Sequence, residues 1–493
     1  MSEPRSLPQR PNLRHLRDEA RRRRKSGEFP SLALAQLALA REYGFRSWPR
    51  LKFHVEAVTL SAAERAATLI ASATSEDLRR ARTLLEIDPS LARHDLACAC
   101  VTGEPEAVSR RLAVRPAAVR EPTGPYGWEP ILYACFSRLL RGAPERAPGI
   151  REVARRLLAA GADPNASYIH HRNWLQVALY GAAGIAGDPE LTRMLLAAGA
   201  DPSDERDGYD GNEILYHACE LEDSTCALLV IEAGARQDLI DSDLGRALNF
   251  PNAEMVEVFC THGARPSGDH LHQAVWRRRP PRTIAALLDA GATLDAPDEH
   301  GLTALQIALR WGEDEVAELL RERGASDAAV TDEDRAIGAY LSGGRTSAPS
   351  TAALSILDEM VILSIQGGHL DSLRRLLDAG ARLDGDPDSE DIPLGQACWR
   401  GREQITRELV KRGAALAFRD GGSAIGAALH GSRHCHHPEG GPTMQTTDEI
   451  SKEPYAEIVG LLLAAGASIP ERVGENGPRG TTLIAELGID PLS

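Results

Sequence analysis

Four consecutive residues, His434, Cys435, His436 and His437, gather imidazole and thiol donors in one short stretch, with His430 one helical turn earlier. These side chains ligate zinc or copper. Adjacent loop residues seldom converge on one ion, however, and no partner pair stands at the separations structural zinc sites use. The stretch HGSRHCHHPEGGPTMQTTDEIS therefore reads as a surface loop with Pro-Glu-Gly-Gly turn chemistry. Cys98 and Cys100 form a CxC with no second pair at ligand spacing. There is no GxSxG elbow, no HExxH and no GxGxxG between a strand and a helix, and GENGPRGTT lacks both the Lys and the spacing of a phosphate loop. The sequence supplies neither a reaction centre nor a cofactor site, so the expected activity is binding.

The elements that would carry binding are read most clearly from Asp298 to Ala325, DEHGLTALQIALRWGEDEVAELLRERGA. Thr303 is placed to cap a first helix through Leu305, Ile307, Ala308 and Leu309 to Gly312. A second helix puts Val316, Leu319 and Leu320 on one face, and Gly324 ends it by supplying a left-handed backbone. The terminal Gly-Ala recurs at Gly161, Gly199, Gly234, Gly263, Gly291, Gly324, Gly380, Gly413 and Gly466, and two of the intervals are 33 residues. The pattern D-x-x-G-x-T-A-L-Q-x-A-x-x-x-G-x-x-x-V-x-x-L-L-x-x-x-G-A resembles the ankyrin repeat, with Ala304 and Gln306 where that family usually has Pro and His. The resemblance implies an all-α solenoid of roughly eleven or twelve helix-turn-helix units, each touching only its neighbours.

Composition agrees with such a body. Aromatic residues are only 4% of the 493-residue chain, which suits small-residue helix packing. Eight cysteines show no disulfide framework; Cys135, Cys219 and Cys398 each follow Ala at one place in a first helix and read as buried apolar residues in a reducing compartment. No apolar run reaches membrane-spanning length, and MSEPRSLPQR has no signal-peptide core, which points to a cytoplasmic protein. Net charge is −15, yet residues 1–54 carry 13 Lys/Arg against 5 Asp/Glu. An acidic body argues against nucleic acid wrapping along its length.

Along the chain, residues 1–60 read as a basic helical cap, with Arg21 to Lys25 a basic block and SLALAQLALAREYGFRSWPRLKFHVE resembling the leader that precedes ankyrin repeats in a group of bacterial proteins. Residues 61–122 hold two degenerate repeats, in which Asp88-Pro89 and Arg115-Pro116 stand where Gly-Ala would. Residues 123–330 form the better-matched array, residues 331–354 an irregular helical joint, and residues 355–493 a second array carrying the insertion 433–453 and a C-terminal cap.

By resemblance, the function is protein–protein interaction without catalysis, by a monomer, on the concave face. Aligned on their first helices, the repeats place Phe136 and Ser137, Glu220 and Leu221, Trp276 and Arg277, Arg310 and Trp311, Trp399 and Arg400, and His430 at the positions that commonly touch partners in ankyrin proteins. Three of the six tryptophans fall here, each beside an arginine, the types most enriched in binding hot spots. The expected partner is a protein segment with carboxylates and apolar anchors. Alternatives from other classes are a nucleic-acid-associated regulator acting through the basic N-terminal helices, and a metal-responsive protein acting through the His434–His437 loop.

Overall fold

A computed structural model of the chain describes residues 5–8, 11–30, 32–75, 78–170, 174–203, 213–344, 354–386, 391–419, 421–434, 453–473, 479–487 and 489. The chain opens with three helices, Leu13–Lys25, Leu32–Glu42 and Trp48–Thr59. They enclose a small core of their own, built from Leu16, Ala20, Ala35, Leu39, Ala40, Tyr43, Leu51 and Val55. Asn12 caps the first by accepting from the N–H groups of Arg14 and His15 at 2.9 and 3.3 Å. Its last turn carries Arg22 to Lys25, cations placed where the helix dipole is negative. Arg23 is turned inward against Glu19 and Glu42.

Beyond the leader the described helices fall into eleven antiparallel pairs. They run from Ala62–Ala73 with Arg79–Ile87 to Ala424–His434 with Glu453–Ala464, and Asp332–Leu341 and Gly480–Glu486 stand without a second helix. First helices pack on first helices of the next pair, and second on second, as in Gly268–Trp276 on Ala304–Trp311 and Pro281–Asp289 on Asp314–Glu322. One continuous apolar core, from Ala57 to Ile484, results.

The nine Gly-Ala pairs show why this fold repeats. Every one of these glycines has φ between 88 and 103°, a backbone that a Cβ disfavours. The following Ala N–H then reaches the carbonyl five residues back, as in Ala162 to Leu157 at 2.9 Å and Ala325 to Leu320 at 2.9 Å. That is the Schellman closure of a helix end. At Gly161, Gly199, Gly234, Gly291, Gly324, Gly413 and Gly466 an added Cβ would meet nothing within 4 Å. Backbone conformation, and not space, selects glycine there.

The finger before each first helix varies in length. At Asp298 it is a tight turn: Asp298 Oδ1 accepts from His300 N and Leu302 N at 2.9 and 2.8 Å. Thr303 and Gln306 form a reciprocal capping box directly after it. Before Gly181 the finger lengthens into a hairpin of strands Ser167–Ile169 and Leu175–Val177, with Tyr168 opposite Gln176. Between Glu232 and Gln237 it vanishes, leaving four residues from one helix to the next.

The second array is tied back onto the first. Helix Leu354–Gly367 receives Arg277 Nη1 on Gln366 Oε1 at 3.0 Å near its C-terminal end, and its Glu359 meets His300 Nε2 at 2.6 Å. Arg375 also donates to the Tyr340 carbonyl at 3.2 Å. No described helix is long and apolar enough to cross a membrane.

Candidate partner-binding face

The expected Trp/Arg strip lies largely inside the protein. Trp276 is buried, and its indole N–H donates to Asp298 Oδ2 at 2.9 Å, holding the finger of the following repeat. Trp311 is buried edge-on to Trp276, with centroids 6.5 Å apart, and the Arg278 guanidinium lies 5.4 Å above its ring. Arg310 is buried against Asp334 at 2.6 Å. Phe136 is buried among Trp128, Tyr168 and Tyr180. The equivalent residues Ser137, Glu220 and Leu221 are buried as well. The expectation that these side chains present themselves on the concave surface is therefore corrected for Phe136, Trp276, Arg310 and Trp311. A first helix of six to nine residues, as in Pro130–Cys135, Ala304–Trp311 and Gly268–Trp276, turns its last positions toward the neighbouring repeat, where large rings fill the groove that small residues leave open.

The remaining members keep some access. Arg277 is half-buried on Gln366. Trp399 is half-buried beneath the Arg400 guanidinium, 5.3 Å from its ring centroid, a favourable cation–π contact. Its carbonyl accepts from Tyr455 Oη at 2.9 Å. His430 is exposed. Cys435, His436 and His437 lie outside the described residues, as does the side chain of His434.

What alignment on helix ends missed is an aromatic surface on the fingers. The first finger closes on an antiparallel bridge between Thr123 and Trp128, with Gly124 and Gly127 both at positive φ. Tyr133 Oη, from the helix behind it, donates to the Thr123 carbonyl at 2.7 Å. An added Cβ at Gly124 would sit 2.7 Å from that phenol oxygen, so Gly lets the finger lie on the helix. Tyr126 is thereby presented 4.7 Å from Trp128, and Trp128 lies 4.1 Å from Tyr168 on the next finger. The chain of rings continues through Phe136 and Tyr180 to His217 and Tyr216, with no gap above 5.9 Å.

Four large hydrophobic side chains on these fingers and the adjoining first helix stay open to solvent: Tyr126 at 42%, Ile169 at 52%, Trp174 at 46% and Tyr216 at 37%. Among the described residues only Leu34 and Val114 elsewhere are comparably exposed. Their concentration in three successive units is the pattern of an interaction patch and not of scattered surface apolars. Arg246 closes its far end, with its guanidinium 4.5 Å from the Tyr216 ring and Nε bonded to Glu220 at 2.9 Å. Burial pushes the Glu220 carboxyl up, but hydrogen bonding to His217 and the charge and bonds of Arg246 more than offset it and hold it low. Glu220 thus acts as the counterion that orients Arg246. The signal in the sequence was the aromatic content of GPYGWEP, ASYIHHRNW and EILYHACE.

Six of the described cysteines are buried and behave as core residues. Burial pushes the thiols of Cys98, Cys100, Cys135, Cys219, Cys226 and Cys398 up, away from the thiolate that nucleophiles and metal ligands need. An open groove of about 660 Å³ beside Pro105–Val114 is lined by Arg93, Arg110, Arg111 and Arg115, with Asp95 and Glu121.

Stacked helix pairs, Schellman closures at Gly-Ala and fingers on one edge define the fold: an all-α solenoid of the ankyrin-repeat type. No family model matches the chain. It is similar to the mouse (Mus musculus) B-cell lymphoma 3 protein homolog, 27% identical over 192 residues, which cover 37% of this chain and 38% of that protein. The chain thus spans well under two thirds of that relative. Solved structures found similar include the human ASB11 ankyrin repeat domain, at 19% identity and a TM-score of 0.23, covering 50% of this chain and 95% of that one. Another is an ankyrin repeat domain from Acinetobacter baumannii AYE, at 24% identity and a TM-score of 0.23, covering 44% and 91%.

Proposed function

We propose that the protein is a non-catalytic interaction scaffold that holds a protein partner on the fingers and first helices between Tyr126 and Tyr216. The observation that carries this reading is the exposure of Tyr126, Ile169, Trp174 and Tyr216 in three successive units, with Tyr126 and Tyr216 at the two ends of a ring chain that runs through the buried Phe136 and Tyr180. Rigid rings held from behind by buried rings bury well at little entropic cost, which is why Trp and Tyr dominate hot spots. The partner segment would offer apolar anchors to the rings and a carboxylate to Arg246. Trp399, Arg400, Arg277 and His430 form a second, smaller contact region in this reading. The scaffold works as a cytoplasmic monomer.

The test is site-specific photo-crosslinking in the source cell, with the probe at Trp174 or Tyr216 and, as control, at exposed Glu318 on a second helix. A protein adduct specific to the finger probes, lost when Tyr126 is changed to Ala, supports the proposal. Equal adducts from Glu318 refute it. The basic run Arg22 to Lys25 favours nucleic acid as a second reading. Under that reading the protein binds plain duplex with an affinity that falls steeply with salt, and the variant R22A/R24A/K25A loses it.

A further inference from the structure

We propose that Glu299, His300 and Glu359 bind one divalent transition-metal ion of the zinc class, which pins helix Leu354–Gly367 of the second array to the Asp298 finger of the first. The three donor atoms lie within 4.8 Å of one another, and they come from segments 59 residues apart joined by the His300 to Glu359 contact. In a tetrahedral zinc site, donors on neighbouring vertices are about 3.4 Å apart. Rotation of the exposed Glu299 and half-buried Glu359 side chains brings the donors to that spacing, with the His300–Glu359 pair opening from its 2.6 Å contact.

Three features point to a cation and to its kind. Two carboxylates meet in a protein that already carries a charge of −15, so their approach is repulsive until a positive charge stands between them. Imidazole nitrogen with carboxylate oxygen suits zinc and its neighbours, whereas calcium and magnesium prefer more oxygen donors and no imidazole. The finger is also held before any ion arrives. Asp298 accepts from the backbone N–H groups of His300 and Leu302 and from the Trp276 indole, so two of the three ligands sit on a backbone that need not be ordered by the metal. Water completes the fourth position. On binding, the His300 nitrogen now facing Glu359 turns its lone pair to the ion, and the other ring nitrogen carries the N–H.

The His300–Glu359 contact by itself would join the two segments without metal, and the experiment separates the two. Untagged full-length protein with His434, Cys435, His436 and His437 all replaced by Ser, so that the insertion cannot contribute, is titrated calorimetrically with zinc chloride. One site is expected, lost in H300A and weakened at least about 10-fold in E359Q and in E299Q. Hydrogen exchange should show residues 354–362 gaining protection with zinc in the parent and gaining none in H300A. Binding weaker than about 100 μM, or a zinc site untouched by H300A, overturns the proposal. So does a deficit in helix protection of H300A relative to the parent that is as large with chelator as with zinc, which assigns the contact to an ordinary hydrogen bond or ion pair.

Discussion

Arg310 Nε donates to Asp334 Oδ1 across 2.6 Å, with both side chains buried between helices Ala304–Trp311 and Asp332–Leu341. Asp334 Oδ2 is shared by the Thr331 N–H at 2.8 Å and Gln306 Nε2 at 3.1 Å. Burial pushes this carboxyl up, but the bonds from Thr331, Gln306 and Arg310 together hold it below its usual value. The carboxylate therefore joins helix Asp332–Leu341, which has no second helix among the described residues, to the repeat of helices Ala304–Trp311 and Asp314–Glu322.

Removing Asp334 should leave the Arg310 charge buried without a counterion. Asp334→Ala is expected to cost about 3–5 kcal/mol, measured as a fall in the urea midpoint. Because the folded-state pKa is lowered, the pair contributes above the unfolded pKa and is lost as pH falls through the folded one. The gap between parent and variant should shrink in acid. A variant as stable as the parent would show that apolar packing, and not the bonds of the Asp334 carboxylate to Arg310, Thr331 and Gln306, holds the helix.

The tryptophans separate packing from recognition. Trp311→Ala should destabilise by about 3–5 kcal/mol, which an exposed contact residue would not. Trp311→Phe should be mild, because no partner accepts from Trp311 Nε1. Trp276→Phe forfeits the bond to Asp298, worth about 1.5–3 kcal/mol when the acceptor is charged. Thermal melts of the two Phe variants should therefore rank Trp276→Phe below Trp311→Phe, and the reverse order would place the finger under some other control.

The repeat was legible because its signals are local. Gly at a helix end, Ala after it and the Thr303–Gln306 pair each act within one turn, and all nine glycines adopt the backbone their position demanded. The binding face was less legible. Whether Trp311 faces solvent depends on what the preceding repeat places over it, here Trp276 and Arg278, and the contact of Arg277 with Gln366 spans 89 residues. The finger aromatics were visible as letters, but their exposure is decided by Tyr133 and Phe136 standing behind them.

One-dimensional stacking makes the C-terminal end separable. Leu483 and Ile484 of helix Gly480–Glu486 are buried, and that helix packs on Ala424–His434. Truncation from Arg472 should uncover this apolar surface, so that residues 455–467 exchange amide hydrogens faster while the unit around Asp298 keeps its protection. Unchanged exchange of residues 455–467 in a fully soluble truncated protein would mean that the last pair caps itself.

Asp243 stores a pH dependence of the opposite sign to Asp334. It is buried on helix Gln237–Ala247, and its Oδ2 has no hydrogen-bond partner. Burial pushes its carboxyl up to about 7, against the opposing effects of the Ser242 hydroxyl, His217 and Arg246, while the Cys219 thiol nearby is held neutral by its own burial. The folded chain thus keeps a proton that the unfolded chain releases near pH 4. Stability from this residue is complete below the unfolded pKa and declines as pH rises toward 7, by a total on the order of 4 kcal/mol at most. Asp243→Asn cannot ionise and should remove that decline. The variant is expected to melt higher than the parent at pH 8 and by a clearly smaller margin at pH 5, in buffers of equal ionic strength. If the two melting curves instead keep a constant offset across that range, Asp243 is ionised in the folded protein, with His217 and Arg246 supplying the balancing charge.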